Sequence, residues 1–163
     1  MIKQNISYTK SQLCVLLALR FLVGWHILYE GISKVLNPQW SSYSFLNESQ
    51  WILSGISKWI ISNPNILMLV DAVNIWTLIL VGAFLILGFL FKPSAIIGSL
   101  LLLTYYLNAP PLLGLEYSIP MDGSNLIVNK TLIESVVLVL LVLFPTNKVF
   151  GIDYFIFRKT VKD

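Results

Sequence analysis

The sequence predicts an all-α integral membrane protein, a four-helix antiparallel bundle with an interfacial amphipathic helix in its first outer loop. Of the 163 residues, 56% are hydrophobic and 12% are charged, whereas soluble domains carry about 25% charged residues. The apolar residues form four runs near or above the roughly 18 residues that a membrane span requires. With a mean hydropathy of +0.78, these runs exclude the soluble globular class.

We predict one transmembrane domain over residues 1–163. Its spans are expected at about 13–36, 66–91, 94–113 and 128–144. At 1.5 Å per residue, a bilayer core of ~30 Å needs about 20 residues, which the first three runs supply. The fourth span is the shortest, because Pro145 cannot continue a helix.

Prolines predict the boundaries between the spans. Asn63 followed by Pro64 is typical of a helix start, with a capping residue before proline at the first helical position. Lys92-Pro93-Ser94 predicts a tight turn between spans two and three. Pro110 and Pro111 are expected to end span three.

The basic residues predict the orientation, because Lys and Arg in short loops stay on the cytoplasmic side. They lie before span one, between spans two and three, and after span four: Lys3, Lys10, Lys92, Lys148, Arg158, Lys159 and Lys162. Both termini should therefore lie in the cytoplasm. The segments 37–65 and 114–127 would then lie outside.

The first outer segment carries a helical pattern. Its apolar residues recur at intervals close to three and four, with polar residues between them: Phe45, Leu46, Trp51, Ile52, Ile56, Trp59 and Ile60. This pattern is typical of an amphipathic helix at the membrane interface. Such a helix can anchor the chain or cover the mouth of the bundle, and a role in guiding a substrate is left open.

Ionisable side chains lie within or at the ends of the predicted spans: Arg20, His26, Glu30, Lys34, Asp71 and Glu134. A charge at the bilayer centre costs at least ~2.5–3.5 kcal/mol, so such residues usually face the interior of a bundle. A rotation of about 100° per residue places the four groups of span one on one stripe. Gly24 and Gly31 lie beside that stripe and would let another helix approach closely.

Depth along the helices predicts that polar groups from all four spans meet in the outer leaflet, with Arg20 deeper. The candidate catalytic residues are Arg20, His26, Glu30, Asp71 and Glu134, and the candidate cofactor-binding residues are Lys34, Asn74, Tyr105 and Asn108. Imidazole, carboxylate and phenol groups suit general acid–base chemistry. No metal site is expected, because one histidine and one cysteine make a poor ligand set.

Structural interpretations stay open for several of these residues. Thr131-x-x-Glu134 matches a capping box, in which Glu134 would satisfy the start of span four. Lys34 can extend its amine to the outer interface. Arg20 and Asp71 can serve as structural ion-pairing groups that hold the bundle together.

Short motifs resemble those of the DoxX family of small four-helix membrane proteins: Arg20-x-x-x-Gly24, Gly31-x-x-Lys34, Gly82…Leu87-Gly88 and Glu134. Two further segments, 105–111 and 125–134, are similar to DoxX-like proteins of the Bacteroidetes type. The resemblance implies an inner-membrane bundle linked to respiratory redox chemistry. The family includes the membrane subunit of an archaeal thiosulfate:quinone oxidoreductase, and its members are often labelled quinol oxidase subunits.

Residue by residue, Arg20, Lys34 and Glu134 match recurrent polar positions of the family. The selection of His26 and Asp71 as site residues rests on the residue pattern alone. The first functional hypothesis is a quinone-linked redox subunit with menaquinone as cofactor and a polar site in the outer leaflet. The sequence holds no haem-ligand pair, iron–sulfur cysteines or nucleotide fingerprint. Electrons would therefore come from a partner subunit or from a small reductant such as thiosulfate.

The alternative hypothesis is a non-catalytic membrane scaffold, or a small-molecule binding bundle, that recruits a redox partner. It needs the packing glycines, the ion pairs and the outer segment, and no chemistry in this chain. Under both hypotheses the partners are the lipid bilayer and a second subunit or a second copy of this chain. Nucleic acid is not expected.

Overall fold

In the computed structural model, residues 8–112, 114–118 and 126–159 are described. Their secondary-structure elements are helices: α1 (Lys10–Val35), α2 (Tyr43–Asn47), α3 (Ser54–Ile61), α4 (Pro64–Leu87), α5 (Phe91–Asn108), α6 (Lys130–Leu143), a short 3-10 helix (Thr146–Lys148) and α7 (Ile152–Lys159). The all-α prediction is confirmed for this part of the chain.

Helices α1 and α4 are long and apolar enough to cross a membrane. With 26 and 24 residues, they extend about 39 and 36 Å, more than a ~30 Å bilayer core. Among the described helices, length and composition single out these two. Helices α5 and α6, with 18 and 14 residues, correspond to the third and fourth predicted spans, and each ends before the predicted boundary.

The four longest helices pack around one apolar core. α1 lies along α4, and α5 contacts both α4 and α6. Each helix contributes buried side chains to this core: Val23, Ile27, Leu78, Val81, Leu85, Phe91, Ala95, Leu102, Leu138 and Leu141. Buried residues recurring at helical spacing explain why these segments associate through one face each.

Glycines bring the backbones of α1 and α4 together, as the sequence predicts for Gly24 and Gly31. A Cβ atom on Gly31 would lie 2.8 Å from Cγ1 of Ile79. On Gly82, a Cβ atom would lie 2.5 Å from the backbone nitrogen of Leu28. The two helices can approach this closely because small residues leave room at their interface.

The turn between α4 and α5 lies earlier in the chain than Lys92-Pro93-Ser94, so that boundary prediction is wrong. Gly88 and Leu90 adopt positive φ values of 65° and 43°, and α5 begins at Phe91. The Asp153 carboxylate accepts hydrogen bonds from the amides of Leu90 and Phe91, at 2.9 and 3.1 Å. A side chain distant in sequence therefore caps the start of α5.

The segment between α1 and α4 contains two short helices, α2 and α3, where the sequence predicts one. In α3, Ser57 is buried while Ile56 and Trp59 are exposed, at 59% and 58%. The polar residue thus faces the protein and the apolar residues face outward. This arrangement is typical of a helix whose outer surface contacts lipid rather than water.

Candidate functional site

A cavity of about 1030 Å³ lies at the end of the molecule formed by the second half of α1, the first half of α4, the end of α5 and the start of α6. The segment 37–60 covers it. Apolar walls come from Ile27, Phe45, Leu78, Leu101 and Leu102. The ionisable Lys, Glu and His side chains that line it lie on α1 and α6.

His26 is at the centre of these ionisable side chains. Its Nδ1 atom lies 2.9 Å from Oε2 of Glu134, and its Nε2 atom lies 2.8 Å from Nζ of Lys130. Both partners come from the first turns of α6. The imidazole ring therefore bridges α1 and α6 at the wall of the cavity.

Glu30 and Lys34 continue this arrangement along α1. Nζ of Lys34 lies 2.6 Å from Oε2 of Glu30 and 5.4 Å from the centre of the Trp40 ring. Oε1 of Glu30 lies 3.9 Å from Nε2 of His26. We call His26, Glu30, Lys34, Lys130 and Glu134 the linked cluster, because each member lies within 4 Å of another.

The capping-box interpretation of Glu134 is wrong. α6 begins at Lys130, and its N-cap is Asn129, whose side chain accepts a hydrogen bond from the amide of Leu132 at 2.9 Å. Because Asn129 satisfies the helix start, the Glu134 carboxylate is free of that role. It contacts His26 instead.

Two amides hold the opposite wall and the cover of the cavity. The Tyr105 hydroxyl donates a short hydrogen bond to the side-chain oxygen of Asn74, which joins α5 to α4. The Asn108 side chain accepts from the Ser57 hydroxyl at 2.7 Å and donates to the carbonyl of Phe45 at 3.1 Å. Both α2 and α3 are thereby tied to the end of α5.

Asp71 anchors the same covering segment from α4. Its carboxylate accepts hydrogen bonds from the amide of Ser42, at 2.9 Å, and from the Ser42 hydroxyl. Asp71 does not line the cavity, whereas its neighbour Asn74 does. The structure therefore places Asp71 against the covering segment, and the ion pairs of the described residues do not join it to the linked cluster.

The second connecting segment closes against the first. The Gln50 side chain donates to the carbonyl of Glu116 at 2.5 Å, and the Glu48 carboxylate accepts from the amide of Ser118 at 3.0 Å. The Tyr117 hydroxyl donates to the carbonyl of Pro110 at 2.8 Å. Partial burial raises the pKa of Tyr117 above its ordinary value, so the phenol stays protonated as this donor.

The DoxX family model matches residues 15–109. The chain belongs to the DoxX family. No curated protein and no solved structure matches it significantly. The matched region of this DoxX protein includes His26, Glu30 and Lys34 of the linked cluster, whereas Lys130 and Glu134 lie beyond it.

Arg20 of this DoxX protein lies away from the cavity, six residues before His26 and about 9 Å from it along the helix axis. It is 3% exposed. Its guanidinium donates to the Thr146 hydroxyl at 3.0 Å and to the carbonyls of Phe150 and Ile86 at 2.8 and 3.4 Å. Arg20 thus holds the C-terminal segment against α1 and α4.

We call this second polar region, formed by Arg20, Thr146, Phe150, Asp153 and the turn at residues 88–91, the C-terminal junction. The Arg20 guanidinium also lies over the Phe91 and Phe150 rings, 5.7 and 5.9 Å from their centres. The direct contacts of the buried cation are therefore neutral acceptors and aromatic faces, and the Asp153 carboxylate adds an electrostatic attraction. The junction is separate from the linked cluster.

Sequence reasoning missed Lys130. The signal that could have found it is the i,i+4 spacing of Lys130 and Glu134, which is also the spacing of His26 and Glu30. It also missed Ser42, because no sequence pattern pairs a loop serine with Asp71. Among the described residues, no group of three or more His, Cys, Asp or Glu could hold a metal ion.

Proposed function

We propose that this DoxX protein is a quinone-linked redox subunit of the bacterial inner membrane, of the thiosulfate:quinone oxidoreductase or quinol-oxidase type. One observation carries the proposal: the linked cluster forms one wall of a large cavity whose other walls are mainly apolar. A binding site for a lipophilic ligand with polar ring oxygens needs this combination of surfaces.

The exposed side chains support a four-helix membrane bundle. Beyond α1 and α4, the helices α5 and α6 also present apolar residues outward, between 47% and 64% exposed: Ile96, Ile97, Leu100, Ile133, Val136, Val139 and Leu143. In water, so many exposed aliphatic side chains would drive aggregation. In a bilayer they contact acyl chains, and the distribution of Lys and Arg then puts both termini in the cytoplasm and the cavity in the outer leaflet.

The residues that line the cavity fit a quinone. A volume of about 1030 Å³ is at the upper end of the range for small-molecule sites. Ile27, Leu78 and Leu102 give apolar walls for a ring, and the linked cluster offers donors and acceptors at one edge. A bound quinone would supply reversible two-electron, two-proton chemistry.

The chain's own residues can move protons and stabilise charge beside such a ring. The His26–Glu134 pair is a general acid–base group held in a fixed orientation. The amines of Lys34 and Lys130 lie where they can stabilise negative charge on a ring oxygen. In this proposal Arg20 has no contact with the ligand, because its guanidinium faces the C-terminal junction.

A second candidate is a non-catalytic scaffold or binding bundle. The observation that favours it is that Asp71 and Asn108 bind parts of the covering segment. Those bonds explain an ordered outer surface on which a partner subunit could dock. This candidate requires a partner and no chemistry at His26.

The deciding experiment is extraction of the purified protein from native membranes, followed by mass spectrometry for bound quinone. We expect near-stoichiometric menaquinone in the parent and in a Lys58→Ala control, and little in His26→Phe. Quinone reduction by thiosulfate in purified membranes then tests the redox step. Absence of quinone from the parent and control, with a stably co-purifying partner, would favour the scaffold.

A further inference from the structure

The hydrogen-bond partners of His26 determine which ring nitrogen carries its proton. A lysine ammonium has donors and no acceptor, so the 2.8 Å contact from Lys130 makes Nε2 an acceptor. Nδ1 then carries the hydrogen and donates it to the Glu134 carboxylate at 2.9 Å. The two partners impose the same tautomer from opposite sides of the ring.

We propose that Lys130 is a positioning residue that holds His26 in the Nδ1–H form and so reserves Nε2 as the atom that accepts a proton from a ligand hydroxyl in the cavity. The ligand class is a hydroxylated aromatic ring. The role of Nε2 toward a ligand rests on the proposed function, whereas the assignment of the tautomer to Lys130 does not. His26, not Lys130, is the catalytic residue in this scheme.

The proton transfer balances within the cluster. The O–H bond of the ligand breaks, its electron pair stays on the oxygen, and a new N–H bond forms at Nε2 of His26. The ring becomes a cation between the Glu134 carboxylate and Oε1 of Glu30, which lies 3.9 Å from Nε2. Lys130 loses its acceptor and is free to face the new oxyanion.

The other groups around the ring are compatible with this step. On α1, Lys34 is bound to Glu30 at 2.6 Å. From α5, the Tyr105 hydroxyl is engaged by Asn74. On α4, the Asp71 carboxylate is bound to Ser42, so no further described carboxylate competes for the ring within 4 Å.

The tautomer can be measured directly, because His26 is the single histidine of the chain. Nitrogen-15 labelling of histidine in the full-length protein, in lipid nanodiscs, gives two ring signals with no assignment problem. At a pH where the ring is neutral, we expect a protonated Nδ1 and an unprotonated Nε2. A protonated Nε2 in the parent protein would overturn the proposal without any variant.

Variants isolate the part played by Lys130. In Glu134→Leu, which has no acceptor for Nδ1–H, the lysine alone should keep the Nδ1–H form. Adding Lys130→Met should release the ring, which then favours the Nε2–H form that a free histidine side chain prefers in water. Glu134→Leu with Lys58→Met is the matched control and should keep Nδ1–H, as should Glu134→Leu with Lys130→Arg.

Identical ring signals in the Lys130→Met and Lys58→Met double variants would show that Lys130 does not set the tautomer. The ligand half is tested by adding 1,4-dihydroxynaphthalene to the parent protein, whose hydroxyl should replace Lys130 as the hydrogen-bond donor to Nε2 and so shift the Nε2 signal. An unchanged signal at saturating ligand overturns that half. If native membranes yield no bound quinone while the tautomer is found, the proposed function fails and the positioning role stands.

Discussion

The C-terminal junction and the linked cluster use charge in opposite ways. At the junction, the Arg20 guanidinium is 3% exposed and contacts neutral oxygens and aromatic rings, and the Asp153 carboxylate is 5% exposed and binds backbone amides. In the linked cluster, the charged groups contact one another, and the Glu30 side chain is 46% exposed. A fully satisfied buried charge indicates a structural role, whereas partly exposed, mutually paired charges beside a cavity leave atoms that a ligand can reach.

The largest expected effect is at the junction. Arg20→Ala removes hydrogen bonds to Thr146 and to the carbonyls of Phe150 and Ile86. Losing charge-assisted bonds and leaving buried acceptors unpaired should cost about 3 kcal/mol or more in the free energy of unfolding. Thermal unfolding in nanodiscs, with Lys58→Ala as control, measures this. If Arg20→Ala unfolded at the same temperature as the parent but no longer bound quinone, Arg20 would act in ligand binding and not in stabilising the fold.

The interface between α1 and α4 connects the two regions. Gly82→Ala places a methyl group 2.5 Å from the backbone of Leu28, so the helices must separate, at a cost of about 1–3 kcal/mol. Gly55→Ala is the matched control, because no atom of the described residues lies within 4 Å of its Cβ position, apart from its chain neighbours and its own helical backbone. We expect the melting temperature of Gly55→Ala to be no lower than that of the parent. Equal melting temperatures for the two variants would contradict the close approach.

Loosening the covering segment, residues 37–60, should lower the free energy of unfolding by less. Asp71→Ala removes the acceptor of the Ser42 amide and hydroxyl, which should cost about 1–3 kcal/mol. The local effect should be larger than the global one, with faster amide exchange at residues 42–47 and unchanged exchange in α7. Uniformly faster exchange throughout the protein would show that Asp71 stabilises the whole bundle instead of the cover.

The smallest effect on stability is expected in the linked cluster. Glu134→Gln keeps an oxygen that can accept from His26, and partly exposed ion pairs contribute little, so the change should be below about 1 kcal/mol. Bound quinone should nevertheless fall several-fold, measured by mass spectrometry on the same sample. If stability falls as far as in Arg20→Ala, the cluster is structural like the junction.

Local sequence chemistry predicted the helices and several of their ends. Asn63 is the N-cap of α4 with Pro64 at its first position, and α5 ends before Pro110. The end of α4 carries a local signal, because Gly88 adopts the left-handed conformation that often ends a helix. The start of α5 carries none, because the side chain that caps it, Asp153, is more than sixty positions away.

For the site, the stripe on α1 correctly indicated an inward face, with His26 and Glu30 beside the cavity and Arg20 buried. What the sequence could not provide were the partners. Arg20 meets Thr146 and Phe150 from the C-terminal segment, and His26 meets Lys130 from α6. Such pairings depend on how α6 and the residues after it turn back onto α1.

At the junction, Gly88 and Gly151 have φ values of +65° and +150°, and a Cβ atom on Gly88 would lie 2.8 Å from Cα of Gly151. Neither position accepts a side chain while the two backbones touch. This gives a simple criterion for sorting DoxX sequences. A homologue with a bulky residue at either glycine must route its tail along a different path, even where its arginine is unchanged.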